Sequence, residues 1–544
     1  MKLRTLFLAS LALNYGSATT AEPPRLVRQG SATQLVVQGR PMLLIGGELG
    51  NSSASSAAYM APHWAKLRAM HLNTVLAPVS WELIEPREGS FDFSSVDSLI
   101  ADARKHDLKL VFLWFGAWKN SMSTYVPVWV KRNQERFPRA QLPNGQGVEI
   151  LSAFAPETLR ADQRAFAALL AHIAQVDGKQ NSVLMVQVEN EIGMLPVARD
   201  YGPLAEARFR EKVPRELVDY LVAHRAALVP EMKRLWEEHG AKTDGSWTEL
   251  FGPGDASAEI FTAWYYARFA DGLAASGKAA YPLPMYVNVA LNRPGRIPGE
   301  YPSGGPLPHL IDVWKAGAPN LDLLAPDIYF PNFVDIVNRY KRPDNPLFVP
   351  EGNNWDRADV PANAFYAFGK MDAIGFGPFS IESGDDKPGA LGEAYGVLEQ
   401  LQPYILAAQG TGRMSAFKPR ALYDETVVYE PLVEKIGDYR FTVAFADIQR
   451  PTATAETASY GGTIIQIGPE EYLIAGQGIT VTFQPAGDGP PLVGIDSAWE
   501  GRFDAAGKWV PGRLLNGDQT HQGRHIRLPT GEWTIQRVKL YRYR

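Results

Sequence analysis

Residues 183–193 read VLMVQVENEIG, and this segment determines how the rest of the chain is interpreted. Six residues without a charge, Val183–Val188, run directly into Glu189, Asn190 and Glu191. A short apolar run of this kind predicts a strand that is buried on both faces, as the strands of parallel sheets are. Acidic residues at the carboxyl end of such a strand indicate a functional site, because α/β proteins build their active sites at that end.

Seven further apolar runs predict that this strand belongs to a barrel. Helix-like segments such as Ser94–His106, Leu159–Ile173 and Ala362–Met371 lie between the runs, and strands that alternate with helices imply a parallel sheet. Eight such strands predict an α/β fold of the (β/α)8 TIM-barrel type, with a doubly wound open sheet as the alternative. The other runs are Met42–Ile45, Thr74–Pro78, Leu110–Trp114, Met285–Val289, Leu321–Ala325, Leu347–Val349 and Ile374–Phe379.

The segment between the fourth and fifth predicted strands is too long for a single helix. Helical periodicity covers Glu206–His239 and Glu259–Ala275, on either side of the segment Thr243–Ala258, which is rich in Gly, Asp and Ser. Another loop, Arg293–Pro308, is rich in Pro and Gly and follows the fifth strand. Because insertions in barrels often occupy the loops at the active-site end, we expect both segments to shape the binding cleft.

The character of the sequence changes after about Ala408. Strand-like segments there are separated by turns of Gly, Pro and Asp, a pattern typical of antiparallel sheets. We therefore predict a β-sandwich domain over residues 409–544, after a catalytic barrel over residues 22–408. The strand-like segments are Tyr439–Ala446, Thr463–Ile467, Glu471–Ile474, Ile479–Gln484 and Glu532–Tyr543.

Residues 1–21 have the order of a secretory signal peptide. Lys2 and Arg4 precede the apolar run Leu6–Leu13, and small residues follow as far as Ala21. This run is too short to span a bilayer, so we expect no membrane span. The 544 residues include no cysteine, which excludes disulfides, and we expect export to a bacterial periplasm or to the exterior. The formal net charge of −5 gives no reason to expect a nucleic acid partner.

Two glutamates in different predicted strands can supply the chemistry of glycoside hydrolysis. The seventh strand reads PLFVP and ends in Glu351, so its carboxylate is expected at the same end of the barrel as the acidic residues after Val188. Glycoside hydrolysis needs two carboxyl groups on either side of the scissile bond, one of which must hold a proton near neutral pH. Strand alternation places Glu189 and Glu191 on the same side, so the pattern does not choose between them.

The motifs at these positions resemble those of known enzymes. Asn190-Glu191 after the fourth strand, together with Glu351 after the seventh, resembles the large clan of retaining barrel glycosidases. The segment QVENEIG, residues 187–193, is similar to the acid/base motif of family 35 glycoside hydrolases, the β-galactosidases. Further similarity to this family lies in Asn73–Val75, in Trp81–Phe93 and in Pro127–Val130.

This resemblance implies roles for the two glutamates. It implies that Glu191, rather than Glu189, is the general acid/base and that Glu351 is the nucleophile. The implied activity is that of a retaining exo-β-galactosidase, which removes terminal β-galactosyl residues by double displacement and needs no cofactor and no metal. The implied substrates are plant-derived oligo- and polysaccharides such as xyloglucan. The sequence gives no indication of the oligomeric state.

Several positions depart from the family pattern. Glu82 and Ile84 stand where the family usually has Asn and His, and its Ala-Glu-Trp motif is not intact around Ala117–Lys119. Because these positions are expected near the bound sugar, another retaining β-glycosidase, acting on glucosides or arabinosides, is an alternative. A non-catalytic carbohydrate-binding protein is an alternative from a different class.

Other residues are candidates for binding the substrate. Asn190 is expected to bind the sugar 2-hydroxyl, and Tyr329 to hydrogen-bond the nucleophile. Glu48 and Glu82 follow the first and second strands and could accept hydrogen bonds from sugar hydroxyls. For each candidate, packing or loop anchoring is the competing interpretation. The candidate stacking platforms are Trp81, Trp118 and Trp355.

Overall fold

The computed structural model describes residues 22–384, 388–445 and 459–544. The predicted signal peptide, residues 1–21, lies outside the described residues. An antiparallel sheet of three strands comes first, and its residues Leu35 and Val37 share a core with Leu44 and Leu184, which lie at the starts of barrel strands. This sheet therefore closes the amino-terminal end of the barrel. Its strands are β1 (Arg25–Gln29), β2 (Ala32–Val37) and β3 (Arg40–Met42).

Eight parallel strands then form the barrel, which confirms the predicted fold class. In the described structure each strand pairs with its neighbours in the order of the chain, and the last pairs with the first. Between the seventh and eighth strands a bridge joins Val349 to Phe376, so the barrel is nearly closed. The strands are β4 (Leu44–Glu48), β5 (Thr74–Ser80), β6 (Lys109–Lys119), β9 (Val183–Asn190), β10 (Met285–Ala290), β11 (Leu323–Ile328), β12 (Glu351–Gly352) and β13 (Gly375–Phe376).

Helices cover the outside of the barrel because each has an apolar face. In the helix Pro156–Asp177, between β6 and β9, Phe166, Leu169, Leu170 and Ile173 recur at helical spacing and are buried. A hairpin, β7 (Arg139–Gln141) and β8 (Gly147–Leu151), precedes that helix. The helices up to the insertion are α1 (Ala57–Met60), α2 (His63–Ala69), α3 (Trp81–Ile84), α4 (Ser94–Lys105), α5 (Val128–Lys131) and α6 (Pro156–Asp177).

The insertion after β9 contains four short helices before the barrel helix α11. The segment Thr243–Ala258, which is rich in Gly, Asp and Ser, contains one of them, because Ser246 caps it in a reciprocal capping box with Glu249. The Pro- and Gly-rich loop after β10 is tied to the loop after β9 by a bridge between Met194 and Ser303. The helices are α7 (Pro203–Phe209), α8 (Arg215–Ala223), α9 (Pro230–Glu238), α10 (Trp247–Phe251), α11 (Asp255–Ala280), α12 (Ile311–Gly317), α13 (Phe333–Tyr340), α14 (Val360–Gly369) and α15 (Gly389–Ala408).

The rest of the chain forms antiparallel sheets, as predicted for a sandwich. A six-stranded sheet and a four-stranded sheet enclose a separate core that includes Phe441, Ile464 and Val481. The ring of Trp533 stacks on Phe365 of α14, with centroids 4.5 Å apart, so the sandwich packs against the barrel. The strands are β14 (Met414–Phe417), β15 (Arg420–Ala421), β16 (Val427–Val428), β17 (Leu432–Ile436), β18 (Tyr439–Ala444), β19 (Gly461–Gln466), β20 (Glu471–Gln477), β21 (Ile479–Pro485), β22 (Leu492–Phe503), β23 (Trp509–Leu514), β24 (Ile526–Leu528) and β25 (Thr534–Tyr543).

None of the helices in the described ranges has both the length and the apolar character that a membrane crossing requires. The boundary between a domain of residues 22–408 and one of residues 409–544 stays a prediction.

Candidate active site

Four carboxyl groups meet at the carboxyl end of the barrel. Glu48 ends β4, Glu191 follows β9, Asp327 is in β11 and Glu351 begins β12. All four residues are buried. One oxygen of Glu191, one of Asp327 and one of Glu351 lie within 4.8 Å of one another. The barrel thus brings together the two glutamates that the sequence pairs, although 160 positions separate them in the chain.

Glu351 is held by the hydroxyl of Tyr329, which donates a hydrogen bond to its Oε1 at 2.5 Å. Burial, followed by the charge of Glu191, raises the pKa of Glu351 to about 7. The ammonium group of Lys119 and the hydroxyl of Tyr329 act in the opposite direction, because both stabilise the ionised carboxylate. The structure thus places Tyr329 at the position that the sequence predicted for it.

Glu191 is anchored through its backbone and its side chain. Its N–H donates to Oδ1 of Asn288 at 2.9 Å, and Asn120 donates to its Oε2. The ammonium nitrogen of Lys119 lies 4.0 Å from the same oxygen. Burial raises the pKa of Glu191, while Lys119 and Asn120 lower it. A carboxyl group whose pKa is raised in this way can hold a proton for transfer.

Glu189 does not lie with this group, so the structure separates the two glutamates that strand alternation left equivalent. Its carboxylate accepts the backbone N–H groups of Ala117 at 3.2 Å and Trp118 at 2.8 Å. The backbone turns through φ +60° at Glu189 and +46° at Glu191, both in the left-handed region, which breaks the alternation of a regular strand. A Cβ at Gly116 would lie 2.9 Å from Oε1 of Glu189, so only glycine leaves room there for this buried carboxylate.

Asp327 and Glu48 complete the group of four carboxyls. Oδ2 of Asp327 accepts a hydrogen bond from Asn288 at 2.7 Å, and its Oδ1 has no partner among the described residues. Neither oxygen of Glu48 has such a partner either. The pKa values of Asp327 and Glu48 lie well above the usual range for carboxyl groups. Burial is the largest cause, and the charge of Glu351 is the second. Both groups therefore hold their protons to a higher pH than an exposed carboxyl group does, and in the protonated form they can donate hydrogen bonds.

Asn190 lies in the same group as Glu48 and Tyr329, whereas Glu82 lies outside it. The amide nitrogen of Asn190 is 3.4 Å from Oε2 of Glu191, and the side chain is buried. Glu82 is half-buried and pairs with Lys131 at 3.0 Å, outside the carboxyl group. Trp355 is half-buried on the loop after β12, where its Nε1 donates to Ser383.

The predicted stacking roles of Trp81 and Trp118 do not fit their places in the core. Both side chains are completely buried. Trp81 donates to Glu85 at 2.9 Å, and Trp118 packs edge-on against Phe269 of α11 with centroids 4.7 Å apart. Neither ring offers a face to a sugar, because apolar packing covers both. Both tryptophans are packing residues of the core, as the competing interpretation has it.

Sequence reasoning missed four residues of this site: Asp327, Asn288, Lys119 and Asn120. Each lies in the carboxyl-terminal half of a barrel strand or directly after it. Polar side chains in these positions were the available signal, since such positions face the active-site end. Asp327 was the most visible, because it lies two residues after the end of the predicted strand Leu321–Ala325.

The spacing of Glu191, Asp327 and Glu351 would also suit a metal ion. Carboxylate oxygens are the ligands that Mg²⁺ and Ca²⁺ prefer. Lys119 already contributes a positive charge to this group, and it lowers the pKa of Glu48, Glu191, Asp327 and Glu351. We interpret the carboxyls as an acid–base set, because the ammonium group of Lys119 already offsets part of their negative charge.

Two regions of the chain match family models. Residues 56–269 match glycoside hydrolase family 42, which is described as "Beta-galactosidase". Residues 391–527 match a domain of unknown function, DUF5597. A "Beta-galactosidase" of Xanthomonas manihotis is 29% identical over 215 residues, which cover 38% of this chain and 32% of that protein. The chain thus matches about a third of the length of this curated relative.

These sequence matches agree with the expected enzyme class, a glycoside hydrolase related to β-galactosidases. The family model that matches is not the one that the motifs suggested. The matching model is that of family 42, whereas the motifs around Glu191 resemble family 35. Residues 56–269 include Glu191 and end before Glu351. The pairing of the two glutamates therefore rests on the geometry of this chain.

Solved β-galactosidase structures also resemble the chain at low identity. The enzyme from the psychrophilic Marinomonas ef1 has a TM-score of 0.45 and 13% identity over 67% of this chain and 60% of its own. That from Halorubrum lacusprofundi has a TM-score of 0.43 and 16% identity over 64% of this chain and 57% of its own. The fold assignment above rests on the strand order of this chain.

Proposed function

We propose that this protein is a retaining exo-β-galactosidase, with Glu191 as general acid/base and Glu351 as nucleophile. One observation carries the proposal, the separation of at most 4.8 Å between an oxygen of Glu191 and one of Glu351. Retaining glycosidases hold their two carboxyls about 5–5.5 Å apart, whereas inverting enzymes need roughly 6.5–9.5 Å to admit a water molecule between them. The match of residues 56–269 to β-galactosidases supports the same enzyme class.

The proposed reaction has two steps. In the first, ionised Glu351 attacks the anomeric carbon, and protonated Glu191 gives its proton to the leaving oxygen. In the second, Glu191 takes a proton from water, which then attacks the same carbon and releases Glu351. Tyr329 orients the nucleophile through its 2.5 Å hydrogen bond, and Asn190, whose amide nitrogen lies 3.4 Å from Glu191, is proposed to contact the 2-hydroxyl.

The other two carboxyl groups have a role in this scheme. Burial and the charge of Glu351 raise the pKa values of Asp327 and Glu48, which favours their protonated forms. Each can donate a hydrogen bond to a sugar hydroxyl, since each has an oxygen without a partner among the described residues. We propose that they replace the binding groups that Glu82 and the segment Ala117–Lys119 do not supply.

A panel of aryl β-glycosides tests the sugar and the nucleophile together. We expect the wild type to release the chromophore from the β-galactoside and to prefer it over the β-glucoside and the α-arabinoside. Glu351→Gln should lower kcat by at least about 10⁴-fold, while Glu82→Gln, a matched change outside the carboxyl group, should stay within about threefold. Equal rates for wild type and Glu351→Gln would refute the proposed nucleophile, and preference for another glycoside would correct the sugar.

The natural substrate is proposed to be a galactose-terminated oligo- or polysaccharide of plant origin, such as xyloglucan. This follows the resemblance of the motifs around Glu191 to family 35. Release of galactose, and of no larger product, from xyloglucan oligosaccharides would support both the substrate and the exo action. Internal cleavage of the chain would contradict the exo action.

We also propose that the protein is exported, on the evidence of the charged, apolar and small-residue order of residues 1–21. Expression in a bacterium followed by separation of periplasm and cytoplasm tests this. The mature protein should appear in the periplasm or medium with a shortened amino terminus. A full-length protein that remains in the cytoplasm would contradict it.

A further inference from the structure

The first hairpin of the C-terminal sheets lies against the active-site end of the barrel. The hairpin consists of β15 and β16, and Arg420 at its start makes hydrogen bonds of 2.8 and 3.1 Å to Asp335 of α13. The ring of Tyr423 meets Phe330 edge-on, with centroids 5.3 Å apart. Phe330 directly follows Tyr329, which holds the proposed nucleophile. The hairpin is thus fixed to the loop after β11.

A cleft of about 440 Å³ opens between this hairpin and two barrel loops. Pro331 contributes from the loop after β11, Arg357 and Asp359 from the loop after β12, and Lys418 and Glu425 from the hairpin side. We call this the hairpin cleft. Its volume lies in the range of about 300–1,000 Å³ that small-molecule sites occupy.

The hairpin cleft lies close to the catalytic group. Two residues of extended chain span at most about 7 Å, so Pro331 is within that distance of Tyr329 along the backbone. The hydroxyl of Tyr329 is 2.5 Å from Glu351. The loop that carries Arg357 and Asp359 follows β12, which begins with Glu351. Both barrel loops that line the cleft therefore start within two residues of a member of the catalytic group.

The lining of the cleft suits a neutral ligand with many hydroxyl groups. Arg357 and Lys418 balance Asp359 and Glu425 in formal charge, so neither an anion nor a cation is favoured. Guanidinium and carboxylate groups are strong hydrogen-bonding partners for hydroxyls. Tyr429 also lines the cleft and is half-buried, so it offers an aromatic side chain to a ligand there.

We propose that the hairpin cleft binds the leaving-group side of the substrate, the sugar residues to which the terminal galactose is attached. This inference rests on the proposed function and extends it, because it assigns the C-terminal sheets a share in substrate selection. The ligand is a neutral oligosaccharide. Its terminal residue lies at Glu191 and Glu351, and its following residues lie along Tyr329 and Tyr429. An aryl galactoside, whose leaving group is a single ring, cannot fill the cleft.

The test compares two substrates for each variant of the full chain. One is an aryl β-galactoside, and the other is a tetrasaccharide with a terminal β-galactosyl residue. The measured quantity is the ratio of kcat/KM for the tetrasaccharide to kcat/KM for the aryl galactoside. Tyr429→Ala should lower this ratio by about 5- to 20-fold, the size of a well-packed aromatic contact, because Tyr429 lines the cleft. Tyr429→Phe should keep most of it, since the ring remains.

Tyr541→Ala is the matched control, because Tyr541 is an exposed tyrosine on β25 that does not line the cleft. Its ratio should equal that of the wild type. An unchanged ratio in Tyr429→Ala would overturn the inference, even if both rates fell together, since equal losses indicate a structural effect.

A failure of the proposed function is distinguishable from a failure of this inference. If the wild type hydrolysed no glycoside, calorimetric titration with the tetrasaccharide would test the cleft alone. Binding that Tyr429→Ala weakens by at least about fivefold would support the cleft. No binding, or equal binding by both proteins, would overturn it.

Discussion

Replacing Glu351 by Gln should stabilise the folded protein above pH 7, although the same change should abolish activity. The reason is that burial and the charge of Glu191 raise the pKa of Glu351 from 4.5 to about 7 in the folded chain. The folded state therefore binds a proton more tightly than the unfolded state does. Glutamine is neutral at every pH, and its Oε1 can still accept the hydrogen bond of Tyr329.

The size of the effect follows from the two pKa values. Below pH 4.5 the carboxyl is protonated in both states, so the substitution should change stability little. Between pH 4.5 and about 7 the wild type loses about 1.4 kcal/mol of unfolding free energy for each pH unit. Above pH 7 the lost unfolding free energy amounts to roughly 3 kcal/mol. Glu351→Gln does not lose it, because glutamine does not ionise.

Scanning calorimetry at pH 4 to 8 measures this directly. If residues 22–408 unfold as one unit, their unfolding entropy is about 0.8 kcal/mol/K, so roughly 3 kcal/mol raises the melting temperature by about 4 °C at pH 8. Glu82→Gln is the control, because Glu82 is paired with Lys131 outside the carboxyl group. A gain in Glu351→Gln that is equal at pH 4 and pH 8, or no gain at either, would refute the reasoning.

Three further predictions concern the same group of side chains. The kcat/KM of the wild type should rise with pH through a limb near pH 7, where Glu351 ionises, and should fall again as Glu191 loses its proton. An acid limb near pH 4.5 in the pH–rate profile would contradict the raised pKa of Glu351. Lys119→Met should move the alkaline limb upward by about 1 to 3 pH units, because the ammonium group 4.0 Å from Glu191 lowers the pKa of that carboxyl. An alkaline limb that does not move would contradict this electrostatic role of Lys119. Asp327→Asn should keep kcat/KM within about tenfold of the wild type, since the amide oxygen can still accept the hydrogen bond of Asn288. Asp327→Ala should lower kcat/KM by about 100-fold. Equal losses for the two variants in steady-state assays would show that the hydrogen bond to Asn288 does not support activity.

Much of the fold could be predicted because its signals are local. Parallel strands are buried on both faces and read as short apolar runs, so the run Val183–Val188 identified β9 at its first residue. The seventh strand was predicted at Leu347–Val349, while the regular pairing lies at Glu351–Gly352. Pro350 has no N–H to donate, which confines pairing at Val349 to a single bridge.

The site was predictable where chemistry and strand position coincide. Glu191, Glu351 and Tyr329 lie at or just after strand ends, and the structure brings them into one group. The sequence could not separate Glu189 from Glu191, because that difference comes from left-handed backbone turns at both residues.

The stacking tryptophans show a different limit of sequence reasoning. Composition cannot tell an aromatic ring that covers a helix, as Trp118 covers α11, from one that faces a cleft. Asp327 and Asn288 were missed for a related reason. Their importance lies in a hydrogen bond of 2.7 Å between two strands, which no single segment reveals.

Trapping the covalent intermediate tests the central claim most directly. A 2-deoxy-2-fluoro-β-galactoside with a good leaving group forms the glycosyl-enzyme readily but hydrolyses slowly, because fluorine at carbon 2 destabilises the positive charge that develops at the anomeric carbon. Mass spectrometry of the intact protein should show one added sugar, and peptide mapping should place it on Glu351. Active enzyme without an adduct, or an adduct on Glu191, Glu48 or Asp327, would contradict the account.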